Sequence, residues 1–347
     1  VTNYVDWKFA TSAGTRLVPP GPDVSPEEAV EAVEEIRALA GQAVEPVAAT
    51  SRLRAPGDAP APLVIDRRTW IEVNAASMSG MLDPAFEAAS RRKTKEPSAA
   101  AQAVGSKITG AEAGGMLAFL STKVLGQYDL APEGDPALLL VAPNIVATER
   151  DIDAVPRDFR LWVCLHEETH RVQFTAVPWL RDHLVTSARS LAGDLMPDSE
   201  ALRTRLEQVT TQLPRVFSGD SQGLAELVIM PEQRERMAQV TAVMSLLEGH
   251  ADVVMDDVGP EHVPTVATIR ARFTKRRKGA GAVDRLLRRL LGLEAKMRQY
   301  RDGATFVRTV QDAVGVDGFN AVWTSPETLP TAREITEPAA WVQRVHG

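Results

Sequence analysis

The pentapeptide His166-Glu167-Glu168-Thr169-His170 constrains this chain more than any other stretch. It is an H-E-x-x-H pattern entered through the apolar run Leu161-Trp162-Val163-Cys164-Leu165. Such a run suits a buried helix, and on a helix residues four apart lie one above the other on the same face. His166 and His170 can then offer two imidazoles to one metal ion, with Glu167 beside them as a general base. A zinc hydrolase needs these three groups at this spacing. The competing reading is a helix that carries two histidines and no metal, because five residues make a short signature.

A catalytic zinc site takes three protein ligands and leaves a fourth position open. A His six residues beyond His170 would fall on Ala176, so the longer H-E-x-x-H-x-x-G-x-x-H pattern is absent. The better source of a third ligand is Glu248, in the segment Met244 to Asp256. Val240, Val243, Leu247, Ala251, Val254 and Val258 form a helical apolar stripe there, with Glu248 and Asp252 four apart along one edge. Glu248 would supply an oxygen to zinc, and Asp252 could accept the free ring N–H of a ligating histidine. His250 is a rival ligand, but at about 100° per residue it points roughly 160° away from Glu248, so a regular helix cannot aim both at one ion. His183 or an Asp remains a further alternative.

Composition excludes several classes of function. A net charge of −7 argues against nucleic acid as a partner, since binding to the phosphate backbone requires positive charge. No run of 18 or more apolar residues is present, so no membrane span is expected. No signal peptide is visible at Val1 to Trp7, and the single cysteine, Cys164, leaves no internal disulfide and no Cys-rich zinc site. These features point to the cytoplasm. Cys164 precedes His166 by two residues and reads as core packing. At 347 residues the chain has room for one large domain or two ordinary ones.

Helical signals dominate the rest. Ser25-Pro26-Glu27-Glu28 opens a helix with a cap, a Pro and two acids, followed by the stripe Val30, Val33, Ile36 and Ala40. Arg54 to Pro62 reads as a loop, and Arg68 to Ala89 as a helix disturbed at Pro84. Arg91 to Gly110 reads as a connection or flap, and Gly110 to Gln127 as a helix of small residues. Ala137 to Ala142 is the clearest strand, read either as flanking a substrate cleft or as a buried structural strand. Val177-Pro178 should interrupt the motif helix, with helices following over Thr186–Leu195, Ser199–Gln212, Arg234–Val258 and Arg285–Arg301. Thr324 to Gly347 reads as an irregular wrap with short helices, and Trp323 and Trp341 read as covering a core, with a groove lined by Trp323, Pro326 and Trp341 as the alternative. The basic run Arg270 to Lys278, with Arg285, Arg288 and Arg289, reads as a solvated surface, with an anionic ligand as the alternative.

Several of these segments stand together in a known family. Val5-Asp6-Trp7, Arg16 to Pro22, Gly126-Gln127-Tyr128-Asp129, Val141 to Ile145, the H-E-x-x-H helix with Val177-Pro178-Trp179-Leu180, and Leu247 to Asp252 resemble the actinobacterial zincin-like zinc-dependent metalloproteases. Some members of that family are associated with deazaflavin-coenzyme biosynthesis. The resemblance covers essentially the whole chain. It implies a mainly α, zincin-like metallohydrolase fold with a small β element, in a single domain over 1–347, with 1–110 as a candidate helical subdomain. It implies Zn2+ as cofactor, His166, His170 and Glu248 as its ligands, and Glu167 as the catalytic base.

The expected activity is hydrolysis of a peptide or other amide. Tyr128, Tyr300, His183 and His262 are polar groups available to stabilise an oxyanion, with no spacing that selects among them. Two other functions compete. One is hydrolysis of a small non-peptide amide or ester in cofactor metabolism. The other is a binding or scaffold protein that keeps the fold without turnover, against which the intact Glu167 speaks.

Overall fold

The computed structural model describes residues 4–57, 59–90, 98–195, 231–278 and 293–347. Helices account for most of these residues, and three short strands form one small sheet. In chain order the first elements are α1 (Trp7–Leu17), α2 (Pro26–Ser51), β1 (Leu63–Ile65), α3 (Arg67–Ser90) and α4 (Ala99–Leu120). There follow β2 (Gly126–Asp129), β3 (Ala137–Val141), α5 (Ala142–Asp151), α6 (Pro156–Thr175) and α7 (Pro178–Leu195). After these come α8 (Pro231–His262), α9 (Val266–Lys278), α10 (Leu293–Phe319), two short 3₁₀ turns, α11 (Ala332–Thr336) and α12 (Pro338–His346). None of the described helices is long and apolar enough to cross a membrane.

Local chemistry explains several boundaries. Ser25 and Glu28 form a reciprocal capping box at the start of α2, an arrangement in which loss of the cap side chain typically costs about 1 kcal/mol. Inside α2, Ile36 and Ala40 are buried as the apolar stripe requires, whereas Val30 is 57% exposed because the first turns of the helix project past the core. α6 begins with Pro156 at its first position and stops before Val177-Pro178, since a residue preceding proline is pushed out of the helical region. Helix α3 continues through Pro84.

Two expectations change. The connection expected over Arg91–Gly110 becomes helix from Ala99 onward, opened by Ser98, whose hydroxyl accepts from the Ala101 N–H. Alanine-rich sequence has high helix propensity, and Gly110 and Gly114 allow α4 to lie backbone-close against Asp6 and Ala10 at and near the start of α1. The helix expected to reach Gln127 ends at Leu120, and Gly126–Asp129 is instead a strand. The helix expected over Ser199–Gln212 and most of the leucine-rich segment beginning at Arg285 lie outside the described residues.

The sheet order is β1-β3-β2, with β1 parallel and β2 antiparallel to the central β3. Both faces of β3 are covered, which is why its sequence is continuously apolar rather than alternating. Leu140 joins the core formed by α2, α6, α8 and α9, while Leu139 and Val141 join a second core with α3 and α4. A third core holds α7, α8, α10 and the C-terminal wrap, where Trp341 is fully buried and donates to the Thr328 carbonyl. Helix α2 lies in the first core and α1, α3 and α4 pack around the second, so residues 1–110 are divided between two cores.

Helices α8 and α10 cross at two glycines. A Cβ on Gly249 would meet the Gly303 backbone at 2.1 Å, and a Cβ on Gly303 would meet the Ser245 carbonyl oxygen at 1.9 Å. This crossing sits one residue beyond Glu248 and fixes the depth of α8. Gly303→Ala should therefore destabilise the protein by roughly 1–3 kcal/mol, the usual range for overpacking, as a lowered midpoint in urea denaturation. An unchanged midpoint would contradict the packing described.

Candidate metal centre

The two motif histidines project from the third and fourth turns of α6, and Glu248 approaches them from α8. The Nε2 atoms of His166 and His170 are 3.2 Å apart. The Glu248 Oε2 atom lies 3.6 Å from the first and 3.7 Å from the second. Metal–ligand bonds of about 2.0–2.1 Å in tetrahedral geometry place ligand atoms about 3.3 Å from one another, so the three donors are spaced as one zinc ion requires. They are the one group of three or more potential metal ligands found among the described residues. The side chains are 23%, 12% and 16% exposed, enough for an open fourth position on the solvent side.

The charges of the group support one another. Burial alone would raise the Glu248 carboxyl, but hydrogen bonding and attraction from the two imidazoles hold it well below the usual carboxylate range. Burial alone would lower His170, yet hydrogen bonding to Glu248 and its charge, with smaller contributions from Glu167 and Gln173, push the ring up to about 9. A proton thus occupies His170 in the metal-free protein at neutral pH, and metal binding must displace it.

Glu167 is buried, and its Oε2 atom has no hydrogen-bond partner among the described residues. Burial pushes its carboxyl upward, partly offset by the two histidines. Strand β2 packs directly against it, and a Cβ on Gly126 would come within 2.5 Å of the Glu167 Cγ and Cδ atoms. The strand's period of two separates its roles. Gly126 and Tyr128 face α6, where the Tyr128 ring stacks on Phe174 at 5.0 Å. Gln127 and Asp129 face α3, bonded to Trp70, Asn74 and Ser77.

The residue behind His170 is not Asp252. The Asp252 carboxylate pairs with Arg270 at 3.3 Å, because α9 brings that guanidinium alongside α8, where Arg270 also pairs with Asp256. The ring Nδ1 of His170 instead meets the Gln173 Oε1 atom at 2.9 Å. Gln173 was legible in outline, since it lies three residues beyond His170 on the same helix face. Gly126 carried no such signal, as its proximity to Glu167 depends on where β2 packs. His250 faces away from the ligands, fully buried against Phe319 and Trp323. Burial, with the charge of His170, lowers it to about 3, so the ring is neutral.

Other candidate residues fall outside the centre. Cys164 is buried in the first core, where burial pushes its thiol up and out of reach of ionisation. His183 packs edge-on to Trp179, and His262 is exposed at the end of α8. In the basic segment Arg270, Arg272 and Arg276 all pair with acids of the same chain. A cavity of about 900 Å³ is lined by α2, β1, α5 and the start of α6, including Glu35, Val64, Val146 and Arg160. It contains none of the motif side chains, whereas potential metal-ligand atoms converge at His166, His170 and Glu248.

Comparison with known proteins gives two findings. A family model described as zincin-like metallopeptidase matches residues 5–342. A crystal structure of a proposed hydrolase with a novel fold, from Chloroflexus aurantiacus, is 29% identical, with a TM-score of 0.69 over 98% of each chain. No curated protein matches.

Two outcomes follow from the geometry. The raised His170 adds stability that is fully present below its unfolded value near 6.5 and is lost as pH rises through about 9. The melting temperature of chelator-treated protein should therefore fall across that interval, and a flat profile would rule out the charged triad. Gly126→Ala should displace the Glu167 carboxylate while leaving the three ligands in place. Hydrolytic activity should drop at least tenfold with zinc still bound at one per chain, as read by metal analysis beside the rate.

Proposed function

Because this chain belongs to the zincin-like metallopeptidase family, we propose that it is a zinc-dependent hydrolase that cleaves a peptide or closely related amide bond. The observation that carries this proposal is the convergence of His166, His170 and Glu248 on one point, with the buried carboxylate of Glu167 next to His166 in the chain. Two neutral imidazoles and one carboxylate are a common ligand set for catalytic zinc, which when bound acidifies a water molecule and polarises a carbonyl group.

The residues of the chain supply the remaining steps. Glu167 removes a proton from the attacking water, and the new bond forms between the water oxygen and the carbonyl carbon. The same carboxyl then delivers that proton to the leaving nitrogen as the C–N bond breaks. Its raised affinity for protons suits a group that must both accept and release one near neutral pH. Its unsatisfied Oε2 is ready to take a hydrogen bond from water or substrate.

A peptidic substrate is favoured by β2. This strand lies at the edge of the sheet, and among the described residues its outer side pairs with no other strand. Gly126 brings the face of the strand against Glu167, so an extended chain laid along the free edge of β2 by main-chain hydrogen bonds would lie beside the base. The deazaflavin association carried by the sequence resemblance names no chemistry that this site displays.

Metal analysis and a peptide-cleavage assay test the proposal together. Wild-type protein should hold one zinc per chain, and Glu248→Ala should lose it. Glu167→Gln should retain the metal while activity falls by about 10²–10⁴-fold, the usual contribution of a general base. Undiminished cleavage by Glu167→Gln, or a wild type without stoichiometric metal, would overturn it.

A further inference from the structure

Behind the candidate ligands a buried polar chain crosses from α6 to α8. The Gln173 side chain is fully buried. Its Oε1 meets His170 Nδ1 at 2.9 Å, while its Nε2 donates to the Leu247 carbonyl at 3.0 Å and meets His250 Nδ1 at 2.9 Å. We propose that Gln173, oriented by the Leu247 carbonyl and His250, is a positioning residue that locks His170 into the single ring form able to bind metal through Nε2.

The Leu247 carbonyl is a group that can only accept. It requires the NH₂ end of the Gln173 amide to point towards α8, so the carbonyl end must point towards His170. An amide oxygen accepts a hydrogen bond, so the His170 proton sits on Nδ1 and the Nε2 lone pair is left for the metal. A reversed amide would set an N–H against Nδ1 and force the proton onto Nε2, where it would block coordination. The second N–H of Gln173 points to His250 Nδ1, which must therefore accept. The His250 proton is then on Nε2, a buried atom with no hydrogen-bond partner among the described residues, packed among Phe319 and Trp323.

An unpartnered buried nitrogen is unfavourable and uncommon, so its presence calls for a compensating role. Here the compensation is the amide orientation. With an apolar residue at 250 the second Gln173 hydrogen would be orphaned and one of the two contacts that oppose amide reversal would be lost. Leu247 immediately precedes Glu248, so the same contact that orients His170 also ties the third ligand's helix turn to α6. Gln173 thereby links both sides of the metal centre.

This inference rests on the proposed zinc site, and the test separates the two. In wild-type, zinc-loaded protein labelled with ¹⁵N-histidine, two-bond proton–nitrogen correlation spectra should show His170 protonated at Nδ1 and His250 neutral and protonated at Nε2. Gln173→Leu should weaken zinc binding by about 10–100-fold in competition with a chromophoric chelator and shift the visible spectrum of the cobalt-substituted protein. His250→Phe, which keeps the ring volume, should produce a smaller change in the same direction. Variant affinities and cobalt spectra equal to wild type, or a His170 proton on Nε2, would overturn the positioning role while leaving the zinc site standing. A wild type that binds no stoichiometric zinc would overturn both. Should Gln173→Leu fail to fold, the wild-type ring spectra and His250→Phe decide.

Discussion

A part-buried carboxylate facing two part-buried imidazoles governs this structure. Glu248 and the pair His166 and His170 come from helices far apart in sequence, and none of the three tolerates burial alone. Together they balance: the carboxylate stays ionised because the rings are near, and His170 holds its proton because the carboxylate is near. The balance exists only if α6 and α8 keep one register and one separation. Much of the surrounding architecture serves that requirement.

Three contacts set the register. Gln173 spans from His170 to the backbone of α8 at Leu247. Gly249 and Gly303 let α10 press onto α8 immediately beyond Glu248, so α8 is supported from behind. Gly126 lets the edge strand close over Glu167 from the other element of the cleft. At the glycines the side chain is absent where a backbone must approach, whereas Gln173 spans the gap with its amide, and the functional group next to each gains a fixed position. Preorganisation of this kind is what a hydrolytic site needs, because misplacement of a base by about 1 Å already lowers rates substantially.

Much of the candidate metal centre was legible from spacing. Residues four apart on a helix share a face whatever the tertiary context, so the juxtaposition of His166 and His170 follows from local geometry. Glu248 was legible as an acid on the edge of an apolar stripe, and the opposition of His250 followed from the same helical angle. Asp252 satisfied the same spacing rule as Glu248 but pairs with Arg270, whose approach depends on the path of α9. The mainly helical class, the capped start of α2 and the strand at Ala137–Val141 were readable for similar local reasons. The flank of small residues before β2 was not, since Ala- and Gly-rich sequence suits either a loose connection or a closely packed helix.

The sequence by itself determined which groups could act: two histidines and a base on one helix, an acid on another, and no competing cluster of cysteines. Helical periodicity is a local property, and it suffices for that. The tertiary structure alone decided which neighbour supports each group. Gln173 rather than Asp252 meets His170, and Gly126 rather than a larger residue meets Glu167, because those partners depend on the crossing of α6 with α8 and the seating of β2. Such crossings are set by the packing of whole faces, which no short stretch of residues specifies.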